Sequence, residues 1–488
     1  MSRGRACLVA CVAVVCTTAG LNAHVGSPDV FVDGLAGPYR LLVTVRPPHA
    51  IPGVADVEIL APAGDVREVR IVPLPLTGPG AQFAPVADVA APSHDDPRFF
   101  VGHLWMMSAG AWQVRATATG NRGRGDLSVP VPTLPQATLA MSPMLRVLLA
   151  MFALVLCAGL VAIVSAAARE ARLGPGEAVG SRDRRRGRIA GVIAAAIVLA
   201  ALVLGNRWWG AEASAYDRYV YKPLDGAATF EPGGRARLSL HDPGWLPSRT
   251  LDDLIADHDH LMHLFVLSPS LDRFWHLHPD QVSTGEFDVG LPPMPSGRYQ
   301  LFADIVHATG VSETIAAGLE VPQRPDSHGA DLAMDDSEWP GRGQPPAAQP
   351  DAVDLGDGSR MVWVREKGPL PAKRLTMLTF RIEDRTGQPA RDLELYMGMP
   401  GHAVVVRHDL GVFAHIHPSG SAPMAAMEIG RRALGAGSQT PAHVHGAGGL
   451  PPEVTFPYGF PGPGDYRLFV QVKRGGRVQT GAFDARVE

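Results

Sequence analysis

Eighteen histidines punctuate this 488-residue chain, and six of them fall in two copies of one pattern. MHLFVLSPSLDRFWHLHP, residues 262–279, aligns with GHAVVVRHDLGVFAHIHP, residues 401–418, so that His263, His276 and His278 share their spacing with His402, His415 and His417. On a strand, positions i and i+2 face the same way about 6.6 Å apart, so each His-x-His presents two imidazoles together. A turn at Pro269–Asp272 or at His408–Gly411 folds the preceding strand back, setting His263 opposite His278 and His402 opposite His417. Three ring nitrogens converging with a fourth position open is the arrangement that suits copper or zinc, at about 2.0 to 2.1 Å per bond. Affinity order among divalent ions favours copper at nitrogen sites, with zinc the alternative.

Other residues offer weaker ligands. His260 precedes the first triad, with Asp257, His258, Asp259 and Met262 beside it. Met397, Met399, Met424 and Met427 flank the second, and thioethers suit cuprous ion, although methionine also fills cores. His443 and His445 form a third His-x-His in a glycine-rich stretch. His24 would offer a ring nitrogen and an α-amine if the chain were cleaved before it. For the hairpin histidines the competing reading is structural, a ring covering apolar surface while one nitrogen bonds a backbone carbonyl, and for His443 and His445 it is adventitious binding in an exposed loop.

The elements that must position these residues are short strands. Charged residues make up only 19%, while glycine (54) and proline (44) are abundant, which favours strands joined by turns over long helical arrays. Alternation is visible in YRLLVTVRP, ARLSLHD, LTMLTFRIED and YRLFVQVKR. After each histidine hairpin comes a Gly-x-Tyr entry to a strand, a turn and a returning strand. The N-terminal region ends in a related way around Gly110 and Trp112, without a His-x-His-Pro element. The expected fold is mainly β: three small antiparallel immunoglobulin-like or cupredoxin-like sandwiches over residues 24–135, 214–322 and 351–488, plus two transmembrane helices. The proline-rich, acidic stretch 323–350 reads as a disordered linker with a span of about 26 to 32 Å, so the last two domains need not meet, and two independent sites are expected.

Residues 1–23 read as a signal peptide, with Arg3 and Arg5 ahead of a short apolar run and small residues at its end. Cys7, Cys11 and Cys16 lie within it, leaving Cys157 alone in the mature chain, so neither a disulfide framework nor a thiolate copper centre is expected. Residues 147–168 and 189–205 are uncharged and largely apolar, the signature of membrane helices. The arginine-rich loop 169–188 between them places that segment in the cytoplasm and both flanks outside, with Trp208 and Trp209 at the outer interface. This predicts an integral protein of the cytoplasmic (inner) membrane with both ends in the periplasm. A net charge of −4 argues against nucleic acid as a partner.

The F-x-H-x-H-P hairpin followed by G-x-Y-x-L-F resembles the YtkA-like domains, cupredoxin-like β-sandwiches of bacterial extracytoplasmic proteins, and DLELYMGMPGHAVVV resembles the lead-in to the same hairpin. The resemblance covers the last two domains and implies copper handling (resistance, delivery or sensing), with a copper protein as exchange partner. A metal-dependent enzyme is the competing class, since a three-histidine centre can activate water, yet neither HExxH, G-x-S-x-G nor a phosphate-cradling loop is present. A structural or adhesive sandwich is the third.

Overall fold

The computed structural model describes residues 29–139, 141–245, 249–323, 330–341, 351–435 and 449–488. The expected signal peptide and His24, His443 and His445 lie outside the described residues. Three β-domains and a pair of long helices are present, as the strand-and-turn composition predicts.

In the first domain eight antiparallel strands between Val30 and Thr133 form one curled sheet, with a core of Val43, Val57, Ile71, Phe100 and Val129. In the middle domain a four-stranded sheet faces a five-stranded one that carries His263–Leu267 and Phe274–Leu277 beside Gly297–Val306. The C-terminal domain repeats the plan: His402–Arg407 and Phe413–Ile416 lie beside Gly464–Arg474. Both hairpins close in the expected register. Leu264 pairs with Leu277 and Ala403 with Ile416, which sets His263 across from His278 and His402 across from His417. Each turn holds a leucine at positive φ, Leu271 at 55° and Leu410 at 60°, where glycine is usual. The reason is packing, since both side chains join an apolar cluster between the domains.

That cluster overturns the expectation of independent domains. In His263–Leu267 all five residues are buried. Leu264 and Val266 face the middle domain's own core, while Phe265 and Leu267 face outward, against Val404, Val406, Phe413 and Phe469 of the C-terminal domain. The seam is reciprocal: Phe274 stacks on Phe469 at 4.4 Å between ring centroids, and the equivalent Phe413 stacks on Phe302 at 4.3 Å. The expected linker participates. Ser337–Trp339 forms a strand on Phe274–His276, and Trp339 packs edge-on to Phe469 at 5.6 Å. Its apolar ring and a sheet edge in need of a partner outweigh the acidic composition around it.

The helices are α1, Pro143–Glu170, α2, Ser181–Tyr216, and α3, Met424–Ala433. The first two are long and apolar enough to cross a membrane and pack side by side, with Ser165 Oγ donating to the Gly187 carbonyl at 3.0 Å. Both outrun their apolar cores: Arg182–Arg188, expected in the loop, occupy the first turns of α2. Helix α3 follows the second hairpin and ties it to the first domain. Met427 packs on that domain's core, and Phe31 crosses the other way into the C-terminal core.

Candidate metal centre

Six of the eight histidines at the seam come from the two hairpins and two, His258 and His260, from the loop before the first. In each hairpin the histidines lie on the face turned away from their own domain's core, so the opposite domain covers them. His276 and His402 are fully buried, and His263 and His417 are 2% exposed.

The first triad converges as the spacing predicts. His263 Nδ1 lies 3.1 Å from His276 Nε2 and 3.2 Å from His278 Nε2. The outward nitrogen of each ring fixes its tautomer. His263 Nε2 donates to the Asp257 carbonyl at 3.0 Å, and His278 Nδ1 donates to the Asp336 carboxylate at 2.9 Å. His276 Nδ1 donates to Gln471 Oε1 at 3.1 Å, since the Gln471 amide nitrogen is committed to Ser337. The Tyr396 oxygen also faces that nitrogen at 3.2 Å, its own proton given to the Asp335 carbonyl. Three lone pairs therefore point at one another with no proton between them, an arrangement that a cation relieves by accepting all three. A proton is the poor choice. Burial first, and neighbouring imidazoles second, hold the His263 and His276 rings well below the usual histidine range. Burial also lowers His278, against the pull of Asp336. Ligand nitrogens around a tetrahedral ion stand about 3.3 Å apart, close to the spacing found.

The second triad does not assemble as expected. The nitrogens that lie within 4.8 Å of one another belong to His258, His402 and His417. His415 instead turns toward the middle domain, Nδ1 3.4 Å from Asp304 Oδ2, just as the equivalent His276 turns toward Gln471 of the C-terminal domain. Its ring stands between the sites, with centroids 5.4 Å from His263 and 5.5 Å from His402. Burial, followed by the nearest imidazole, lowers His402 and His417 well below the ordinary range.

Among the weaker candidates, His260 stacks on His278 at 3.8 Å, with Nε2 3.6 Å from Asp335. Met399 is buried and holds Tyr396 through two backbone hydrogen bonds. Met424 Sδ accepts from Ser419 Oγ at 3.6 Å. Sequence reading missed the outer shell, Asp336, Gln471 and Tyr396. The signal for the seam was present in HLFVL and HAVVV, apolar at successive positions and thus bound to be covered on both faces.

Residues 356–488 match the model of a domain of unknown function, DUF8832. No curated protein matches. Among solved structures, the tetra-tandem repeat from the extending region of a large adhesion protein is 7% identical, with 90% of this chain and 71% of that one covered at a TM-score of 0.15. The FN1–FN3 domains of chicken CNTN1 are 6% identical over 91% and 97% of the two chains at a TM-score of 0.12. A protein from Corynebacterium diphtheriae described as membrane anchored is 8% identical over 94% of each chain at a TM-score of 0.15. At such scores the likeness carries no argument about this chain.

Proposed function

We propose that this chain is a membrane-anchored, extracytoplasmic metal-binding protein of the copper-handling kind, with zinc as the alternative ion and no catalytic step. One observation carries the reading: His263, His276 and His278 aim three lone pairs at a common point because Asp257, Gln471 and Asp336 each occupy the opposite ring nitrogen. Outer-shell partners of this type, a carboxylate, an amide oxygen and a backbone carbonyl, are what orient imidazoles toward a metal. Nitrogen-only donors suit copper above other divalent ions. Burial of the rings fits holding or passing on an ion better than turning over an organic substrate. A periplasmic location for the β-domains, in a cytoplasmic membrane, follows from the arginines that begin α2, since cationic loops stay in the cytoplasm.

The test is metal content. The full chain, purified in detergent and equilibrated with Cu2+, retains copper after desalting, and X-ray absorption finds nitrogen neighbours near ~2.0 Å. Replacing His276 and His278 together with alanine removes that ion. A wild-type chain that retains no metal, or a double variant that retains all of it, refutes the proposal.

A further inference from the structure

The two loops that lead into the hairpins have one backbone shape and different chemistry. Asp257 and His260 bond each other's backbones as Tyr396 and Met399 do, and each pair encloses two residues at positive φ: His258 (52°) and Asp259 (70°) in the first, Met397 (49°) and Gly398 (78°) in the second. Left-handed backbone is costly for a histidine, and here the shape of the loop throws the His258 ring across the seam. Its centroid lies 5.0 Å from His402 and 5.0 Å from His417, and those two are 5.0 Å apart. It stands farther, 6.0 Å, from His263 of its own domain.

The nitrogens at this place are unsatisfied. Both ring nitrogens of His402 and Nε2 of His258 are buried without a hydrogen-bond partner among the described residues, and His417 finds one only at the Ala422 backbone. A buried polar atom left unbonded costs about 1 to 3 kcal/mol, and one nitrogen from each of the three rings lies within 4.8 Å of the other two, so three lone pairs converge where a single cation would satisfy them all. Three neutral imidazoles bring three lone pairs to this point, and a water has two protons to give. A transition-metal ion takes one lone pair from each ring and is what three neutral imidazoles hold best.

Resting on the reading of the first triad as a metal site, we infer that a second ion is held between the domains by His258 of the middle domain with His402 and His417 of the C-terminal domain, and that His415 is not one of its ligands. The site is incomplete in either domain alone. Ion binding there fastens the middle domain to the C-terminal one, and it sets two ions close together, since the His415 ring touches both triads and His258 lies 6.0 Å from His263 between ring centroids.

The probe is Cu2+ on the full chain in detergent, with bound ions counted after desalting. The wild-type chain holds two. His258→Gly holds one, and glycine suits a position at positive φ, so the metal-free variant melts no lower than wild type. The His276→Ala, His278→Ala double variant also holds one, His258→Gly added to it holds none, and His415→Ala keeps two. Paramagnetic resonance of the loaded wild type shows dipolar broadening between neighbouring Cu2+ ions, and His258→Gly collapses it to the spectrum of an isolated ion. If His258→Gly keeps two ions while His415→Ala falls to one, the second site lies within the C-terminal domain and the inference is overturned. If wild type holds a single ion that the His276, His278 double variant removes, the first site stands and the second does not exist. If wild type holds none, both fall.

Discussion

Acidifying the metal-free protein should loosen the seam over a narrow pH range. His263, His276, His402 and His417 are 0 to 2% exposed, and burial, then adjacent imidazoles, holds each of them well below the ordinary value near 6.5. A depressed histidine favours the folded state above the unfolded pKa, because the unfolded chain takes up protons first as pH falls. Stability is thus fully present above about pH 6.5 and declines below it. Between pH 6.5 and 5.5 each such ring costs about 1 kcal/mol, so four cost about 4 kcal/mol, a large part of the 5 to 15 kcal/mol typical of a folded domain. His307 has the opposite sign. Burial opposes its charge, but Glu313 and Asp253 outweigh that and raise it, so its contribution is present below the unfolded value and lost as pH rises. It leaves the acid-side decline in place. The assay is urea unfolding of the metal-free chain in detergent at pH 6.5 and 5.5, followed by tryptophan fluorescence, with Trp275 and Trp363 both 2% exposed. A difference below about 1 kcal/mol would mean that the rings titrate as they do in the unfolded chain, which a closed seam forbids.

Other perturbations test separate parts of the molecule. Asp336→Asn keeps an acceptor for His278 Nδ1 but removes the charge behind it, and Cu2+ affinity at the first triad should fall by about 10- to 100-fold in competition titrations. Phe469→Ala removes the ring stacked on Phe274 and should destabilise the paired domains by about 3 to 5 kcal/mol in urea unfolding. Gly420→Ala places a Cβ 1.8 Å from the Phe31 carbonyl oxygen at a φ of 121°, so the Val30–Ala36 strand should detach and become the first site of limited proteolysis. A reporter active only in the cytoplasm should work when fused after Pro175 and fail after Pro135 and Pro322, and activity at either outer position would overturn the both-ends-out topology.

Strand alternation, the turn residues and the repeated hairpin made the sandwich class legible, and the register that sets His263 across from His278 follows from turn position alone. Two apolar segments were likewise readable as helices, because hydrocarbon thickness fixes their length regardless of context. Local chemistry also singled out the six hairpin histidines. The chain's own sequence did not say which surface they would face. His415 and His417 alternate identically with His276 and His278 in the two repeats, yet only the first triad closes within its domain. The choice between His415 and His258 rests on a loop with two left-handed residues and on a neighbouring domain 139 positions away in the repeat, neither of which a periodicity encodes. What tertiary structure decided was the stacking of Phe274 on Phe469 and of Phe413 on Phe302. Burying those aromatic faces against each other takes apolar surface out of water, and the histidines beside them are carried into the seam.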